Sequence, residues 1–364
     1  MTAIEHSDIA VPQTTHEYET ALADLKIDAD KLIVLWGTGL SQNGKPEVKL
    51  DWYYHHNPEG TPLVVLLHHS KTQVAVGVAA IGPRRMRFGE VTLKGGALVD
   101  FVLQPEHRTF FPAMFLQKET RLHAVDKFDI LFGFPNSRAV PIVRRVGYRC
   151  VGQFVRRTRV LRSSTYLAKY IPDRLSRIAG GVIDGCRLAA LAVRGFTNPD
   201  FPSQWQDCPN DAFNELWQRV ATSRVVMGVR DVEFLTWRFV NVPSKSFKFF
   251  TLTSSTNQQL VAYAVCLAHG PVLHVHDFLV DPNVPSADTR LWMNLSREAI
   301  RMGYSSLSLE FLGSDQQQRQ LDSAGLLVRG RRPVYASVTK SFGSSSTWPS
   351  DVSPWYMTAA DDDW

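Results

Sequence analysis

The sequence predicts a mixed α/β (α+β) chain of two consecutive domains, each a mostly antiparallel, twisted sheet flanked by helices. Three observations carry this. The length of 364 residues is too great for one small core and suits two domains of ordinary size. Two blocks of the chain each run from helices, through a series of strands, to an alternating strand–helix–strand end. The blocks also echo each other. Asp51-Trp52-Tyr53 and Thr236-Trp237-Arg238 precede the strands. Val102-Leu103-Gln104-Pro105 and Leu279-Val280-Asp281-Pro282 close a strand, and Gly147-Tyr148-Arg149 and Gly325-Leu326-Leu327 follow the last helix. The expected division is 1–162, a helical connector 163–210, a second domain 211–340 and an acidic-aromatic tail 341–364.

Each element has a local reason. In the first block Glu17–Lys26 and Asp28–Trp36 read as helices, the latter behind an acidic cap. Val48–Tyr54 reads as a third helix, closed by Asn57-Pro58-Glu59-Gly60. Leu63–His68, Val74–Ile81, Arg87–Leu93 and Ala97–Leu103 carry β-branched or aromatic residues between Gly and Pro breaks, so they read as strands. A helix over Pro112–Ala124, a strand Phe128–Gly133, a helix Ser137–Val146 stopped by Gly147 and a long strand Tyr148–Leu161 complete it. Apolar residues at near-helical spacing make 163–195 a connector helix, interrupted at Pro172 and Gly180-Gly181. The second block repeats the plan: helices Ala212–Val220 and Val232–Phe239, strands Phe247–Leu252, Gln259–Leu267 and Val272–Val280, a helix Ala287–Arg301, a strand Ser305–Phe311, a helix Asp315–Ala324 and a strand pair from Leu326 to Val338.

Composition narrows the function classes. A hydrophobic fraction of 44% and a charged fraction of 21% are those of a soluble globular protein. No apolar run reaches the roughly 18 residues that span a membrane, and the first residues do not read as a secretory signal. Cys150, Cys186, Cys208 and Cys266 lack any paired spacing, which points away from disulfides and zinc ribbons and toward a reducing, cytoplasmic setting. Arginines cluster at Arg84-Arg85-Arg87, Arg144-Arg145, Arg156-Arg157-Arg159 and Arg329-Arg331-Arg332, against a net charge of only +5. They suit a solvated basic surface or an anionic ligand; no nucleic-acid signature accompanies them, and DNA is not expected.

The most informative stretch is Val102-Leu103-Gln104-Pro105-Glu106-His107-Arg108-Thr109-Phe110-Phe111-Pro112-Ala113. Strand, turn and helix meet there, a place where unpaired backbone N–H groups can face a phosphate. It resembles the pyrophosphate turn of the GNAT acyltransferases, roughly V-x-P-x-x-R-G-x-G-x-A. Asn136-Ser137-Arg138-Ala139 followed by Arg144-Arg145-Val146-Gly147-Tyr148 is similar to the family's Asn…Ala…Leu-Gly-Phe segment. The whole chain resembles a tandem GNAT protein, and its tail resembles the endings of GNAT-like proteins from bacterial polysaccharide loci. The resemblance implies two tandem GNAT-like domains and an acetyl-CoA or other acyl-CoA co-substrate. It places Phe101, Val102, Leu103, Arg108, Thr109, Phe110, Phe111, Ala113 and Asn136 at the coenzyme. The sequence departs from the pattern at Thr109 and Phe111, where the family has small residues, and at Val143, where it commonly has a tyrosine acid. The second block's turn, Asn283–Asp288, lacks both glycines and the arginine, so coenzyme is expected in the first block only.

Acyl transfer to an amine needs a polarised carbonyl, a group to take the amine's proton and a leaving thiolate. The candidate carboxylates are Asp100 and Glu90 in the first block, and Asp277 and Glu310 in the second. By strand alternation Asp100 shares a face with Leu98 and Val102, and Asp277 lies opposite His274 and His276. That His-x-His pair has no third ligand at useful spacing, so no metal is expected. His55-His56 and His68-His69 read as surface residues. No Ser or Cys sits in a nucleophile elbow, so direct attack in a ternary complex is expected, on an amine or hydroxyl of a sugar or small metabolite. Two other readings stand beside it: a FemX-like transferase using aminoacyl-tRNA, and a GNAT-fold scaffold without catalysis. A homodimer is compatible with all three.

Overall fold

In a computed structural model the described residues are 17–39, 45–162, 201–339 and 354–362. The expected connector helix over 163–195, with Cys186, and the Ser-rich start of the tail lie outside them. The first half comprises β1 (Tyr18–Leu22), α1 (Ala29–Gly39), α2 (Pro46–Lys49), β2 (Leu63–His69), β3 (Ala75–Phe88), β4 (Val91–Leu103), α3 (Phe110–Ala124), β5 (Ile130–Gly133), α4 (Val140–Arg145) and β6 (Arg149–Val160). The second comprises β7 (Ser203–Gln206), α5 (Asp211–Val220), β8 (Val226–Gly228), α6 (Val232–Leu235), β9 (Lys248–Thr253), β10 (Leu260–His269), β11 (Val272–Val280), α7 (Ala287–Arg301), β12 (Ser306–Leu312), α8 (Asp315–Ser323), β13 (Leu327–Val338) and β14 (Trp355–Thr358).

All 14 strands join one sheet, in the order β1-β2-β3-β4-β5-β13-β6-β12-β11-β10-β9-β7. Neighbours are antiparallel except β4–β5 and β11–β12, the parallel pair in the middle of each half, and β8–β14. The halves exchange their last strands. β13 of the second half runs between β5 and β6, and β6 of the first runs between β13 and β12. β8 and β14 then close a circuit of pairings, β3-β8-β14-β12-β6-β13-β5-β4, back to β3. One hydrophobic cluster spans both halves, and a smaller one lies under α3 and α4.

The repeated tripeptides mark a pseudo-twofold contact. α2 and α6 each widen into a turn with i→i+5 bonds, at Leu50–His55 and Thr236–Val240. These turns present Trp52 and Trp237 face to face, with ring centroids 4.9 Å apart. Each indole N–H donates to the other residue's carbonyl, at 3.1 and 3.3 Å.

Several expected elements are corrected. Glu17–Lys26 is not a helix: Tyr18–Leu22 pairs with β2 and buries Tyr18. Val74–Ile81, Arg87–Leu93 and Ala97–Leu103 are not three strands but one long hairpin, β3–β4, turning at Gly89 with φ +57°. Gly95 and Gly96 looked like breaks. They are close approaches instead, where an added Cβ would sit 2.4 Å from Met86 and 2.5 Å from Ile81. The strand pair expected from Leu326 to Val338 is the single strand β13, which runs along β6. β7, β8 and β14 are additional.

Candidate active site

In each half the central parallel pair parts at a bulge. β4 and β5 pair at Gly95–Ile130, Gly96–Leu131 and Ala97–Phe132, and β4 then continues to Leu103 paired with β3 but no longer with β5. Across from β5, Val78 faces Val102 while Ala80 faces Val99, so Asp100 and Phe101 together oppose Ala79. Asp100 takes φ +53°, strained for a non-glycine residue. The bulge breaks the alternation between Leu98 and Asp100 and keeps Asp100 on the side of Val102. Leu98 packs with the cluster under α3 and α4, Val102 with the other cluster, and Asp100 turns toward α2. Its carboxylate is buried, receiving Lys49 Nζ at 2.5 Å and Tyr54 Oη at 2.5 Å.

The second half repeats this geometry. β11 and β12 pair from Val272–Ser306 to Val275–Leu309 and then part. Val265 faces Asp277 and Cys266 faces Val275, leaving His276 as the extra residue, so strand parity again fails to separate Asp277 from the histidines. Asp277 is buried, taking Arg230 Nε at 2.9 Å, Tyr263 Oη at 2.7 Å and Thr358 Oγ1 at 2.6 Å. Here the opening holds β14. This strand pairs with β12 at Phe311–Thr358 and Leu312–Met357, Tyr356 Oη donates to the Phe278 carbonyl, and Ala360 N donates to the His276 carbonyl at 3.0 Å. Among the described residues no strand enters the β4–β5 opening.

β14 is held by a buried charge network. Arg230 is fully enclosed and also donates to Gly228 O (2.7 Å), Thr358 Oγ1 (3.1 Å) and Asp361 Oδ2 (2.6 Å). Arg84 Nη2 reaches Asp361 Oδ1 at 3.2 Å. Burial alone would raise the Asp361 pKa, but Arg230 and Arg84 outweigh it and hold the carboxyl below its ordinary range. Past this anchor the chain brings Asp362 to Arg332, which also pairs with Glu310 at 3.1 Å. Arg332 lies 5.0 Å from the Phe134 ring and 4.8 Å from that of Phe154, beside the end of β5.

The remaining expected residues fall as follows. Arg108 bonds backbone: Nε donates to Leu103 O (2.8 Å) and Nη2 to Thr38 O (3.3 Å), tying β4 to α1. Thr109 precedes α3 without a side-chain cap. Phe110 is exposed, with Arg145 over its ring at 5.0 Å, and Phe111 stacks on Phe115. Val102, Leu103 and Ala113 are buried and Phe101 is half-buried. Asn136 accepts from the Arg138 and Ala139 N–H groups, both at 3.0 Å, and opens the turn into α4. Glu90 sits in the β3–β4 turn beside Arg87, ten residues up the strand from Asp100, or about 33 Å at strand rise. Val143 is buried, and burial raises the Tyr148 phenol pKa. Four of the clustered arginines are paired, Arg84 and Arg85 with Glu59, Arg157 with Asp322 and Arg332 with Glu310, and of these Arg84 and Arg157 are buried.

Two cavities adjoin the second bulge. The larger, about 390 Å³, lies where β11, the 281–286 turn and the starts of α7 and α8 meet; its lining includes Asp281 and Asp288 and no Lys or Arg. The smaller, about 290 Å³, contains Arg156, His274, His276, Ser308 and Glu310. Among the described residues no group of His, Cys, Asp and Glu could hold a metal ion, and no helix is long and apolar enough to cross a membrane. Sequence reasoning missed Asp361, Asp362 and Arg230. The acidic-aromatic tail was the available signal, but its destination in the second wedge is a long-range pairing.

No protein-family model and no curated protein matches the sequence. Solved structures do. A GCN5-related N-acetyltransferase from Anabaena variabilis aligns over 89% of this chain and 73% of its own, at 14% identity and TM-score 0.63. A tandem GNAT protein from the clavulanic acid biosynthesis pathway aligns over 89% of this chain and 99% of its own, at 10% identity and TM-score 0.55. Saccharomyces cerevisiae N-myristoyltransferase with bound myristoyl-CoA aligns over 91% and 82%, at 12% identity and TM-score 0.53. The parallel pairs, their bulges and these likenesses define the architecture: the chain has the GNAT fold, in tandem.

Proposed function

We propose that this chain is an acyl-CoA-dependent N-acyltransferase that acts directly on an amine or hydroxyl of a sugar or small metabolite. The donor lies between β4 and β5, and the acceptor in the cleft between the halves. One observation carries the reading: two strand pairs part at equivalent bulges, and only the second opening contains a strand of the chain itself among the described residues. β14 demonstrates that such an opening takes an extended chain, and an extended pantetheine arm would add to β4 in the first as a strand does. The named neighbours, an N-acetyltransferase and a myristoyltransferase with bound myristoyl-CoA, favour the same donor class.

In this reading Phe101, Val102 and Leu103 line the donor, and backbone N–H at the Asp100 bulge polarises the thioester carbonyl. Ala113 and Asn136 shape the α3 and α4 ends of the slot. Arg108 fixes the end of β4, and Thr109, Phe110 and Phe111 border the phosphates. Asp100 and Asp277 hold the two bulges, while Glu90 stays at the hairpin turn. Glu310 and Asp362, the carboxylates that share Arg332, receive the acceptor's proton, directly or through water. Val143 has no proton to give, so the thiolate leaves without help from that position. A chain using acyl-CoA in this way works in the cytoplasm.

Calorimetry tests this. Acetyl-CoA or a longer acyl-CoA should bind once per chain, and Leu98→Trp, which fills the opening where Leu98 already meets Gly133, should weaken binding at least tenfold. Absence of binding by every acyl-CoA at millimolar concentration would leave a GNAT-fold scaffold.

A further inference from the structure

The smaller cavity has a chemistry of its own. It opens where β6, β11 and β12 adjoin, and Ala359 of the tail forms one wall. Among the described residues Arg156, His274, His276 and Ser308 make no hydrogen bond or ion pair through their side chains. The two imidazoles touch only rings: each other at 6.4 Å, His269 from His274, and Phe247 from His276 at 5.0 Å. Arg156 is exposed, the two histidines are half-buried and Ser308 is buried, so these groups line the cavity from its mouth inward. Four unspent groups converging on one cavity are what a ligand's polar end requires.

The charge of the surroundings selects the ligand. Arg156 lies across from Glu310 in the β6–β12 pairing, and its charge acts on His274. Arg238 and Lys245 add positive charge beside His276. Glu310 is the one carboxylate in the lining, and Arg332 already neutralises it. Burial, then Arg238, His274 and Lys245, pull the His276 pKa down to about 3, so its ring is neutral at physiological pH. Burial, His269 and Arg156 lower that of His274 as well. Each neutral ring still offers one N–H. The cavity therefore presents a guanidinium, two ring N–H groups and a hydroxyl against one occupied acceptor.

From this we infer that the cavity binds an anionic group, a carboxylate or a phosphate, carried by the acceptor. Only the word acceptor rests on the acyltransferase reading; the anion site stands on its own lining. A volume of about 290 Å³ is at the small end for ligand pockets, enough for the charged end of a metabolite and not for a coenzyme. Arg156 is the specificity-determining residue, because its planar fork matches both anions in bidentate fashion.

Imidazole resonances of the full chain, assigned with His274→Gln and His276→Gln, give a direct readout. Inorganic phosphate, malonate and neutral malonamide are titrated separately. Phosphate or malonate should shift the resonances saturably and malonamide should not; the tighter of the two anions identifies the group. Arg156→Gln should raise that dissociation constant at least tenfold with an unchanged melting temperature, since the Arg156 side chain is exposed and bonds no other described residue. Resonances indifferent to both anions, or equally moved by malonamide, would overturn the inference. So would a shift produced by acetyl-CoA alone, which would give the cavity to the donor. If the anions bind and no acyl-CoA binds anywhere, the anion site stands and the acyltransferase reading falls.

Discussion

Asp361→Asn asks whether the tail is part of the fold or merely rests on it. The Asp361 side chain is fully buried and receives Arg230, Arg84 and the Thr358 N–H. Removing one partner of a buried ion pair strands the other charge, at a cost of about 3–5 kcal/mol. Asparagine keeps one acceptor oxygen, so the lower end of that range is expected. Its neighbour is the control. Asp362 is 22% exposed and pairs with a partly exposed Arg332, so Asp362→Asn should cost no more than about 1 kcal/mol. Urea unfolding at a common m-value measures both. Acid adds a second signature. The folded pKa of Asp361 lies below its unfolded value, so its contribution is complete above about pH 3.9 and fades as pH falls through the folded pKa. The gap between wild type and Asp361→Asn should therefore narrow below about pH 4. Equal small costs for the two variants, or a gap that does not change with acid, would refute the network as the tail's anchor.

Other consequences follow from the same geometry. Trp52→Phe keeps a stacked ring but deletes the N–H donated to the Trp237 carbonyl, and should lower stability by about 1 kcal/mol in the same assay. Burial, then Arg238 and Lys245's other cationic neighbour Lys49, bring Lys245 down to about 8 from the usual 10.5, so competitive acylation should give it a labelling midpoint near pH 8, well below that of surface lysines. If Asp362 takes the acceptor's proton, Asp362→Asn should reduce kcat about 100-fold or more with an unchanged acyl-CoA dissociation constant; a change in binding alone would make it a positioning residue.

Local pattern made much of this architecture legible. The Trp52 and Trp237 tripeptides echo in sequence because they occupy equivalent turns that stack on each other. The runs ending at Pro105 and Pro282 are the two strands that splay. Local pattern failed wherever a residue's meaning depends on a distant strand. Alternation put Asp100 with Leu98 and Val102, and one bulge left it with Val102 but parted it from Leu98. Gly95 and Gly96 looked like strand breaks because composition does not reveal that Met86 and Ile81 need their missing side chains. The exchange of β6 and β13 has no local signature, since each strand would read identically if it closed its own half. The candidate site suffers most: Glu310 was visible as a carboxylate on a strand, but Arg332, Asp362 and the cavity lining meet only through that exchange.

The same topology explains why two halves of one plan end so differently. Each bulge carries a buried aspartate that accepts from a tyrosine, Tyr54 on Asp100 and Tyr263 on Asp277. The cation differs. Lys49 brings a compact ammonium to Asp100. Arg230 brings a wide fork, and after Asp277 and the Gly228 carbonyl it still has a nitrogen for Thr358 and Asp361. Burying a guanidinium is costly where its N–H groups lack acceptors, and at the second bulge β14 and the residues after it supply them to Arg230. The arginine at the second bulge thus goes with a strand in the opening, and the lysine at the first with none among the described residues. Arg230→Lys should reverse part of this, because one ammonium cannot span Asp277, Thr358 and Asp361 together. Amide exchange at Trp355–Thr358 should speed up by more than the loss in global stability explains. If those amides stay as protected as their neighbours in β12, the strand is held by packing around Tyr356 and not by the arginine's demand for partners.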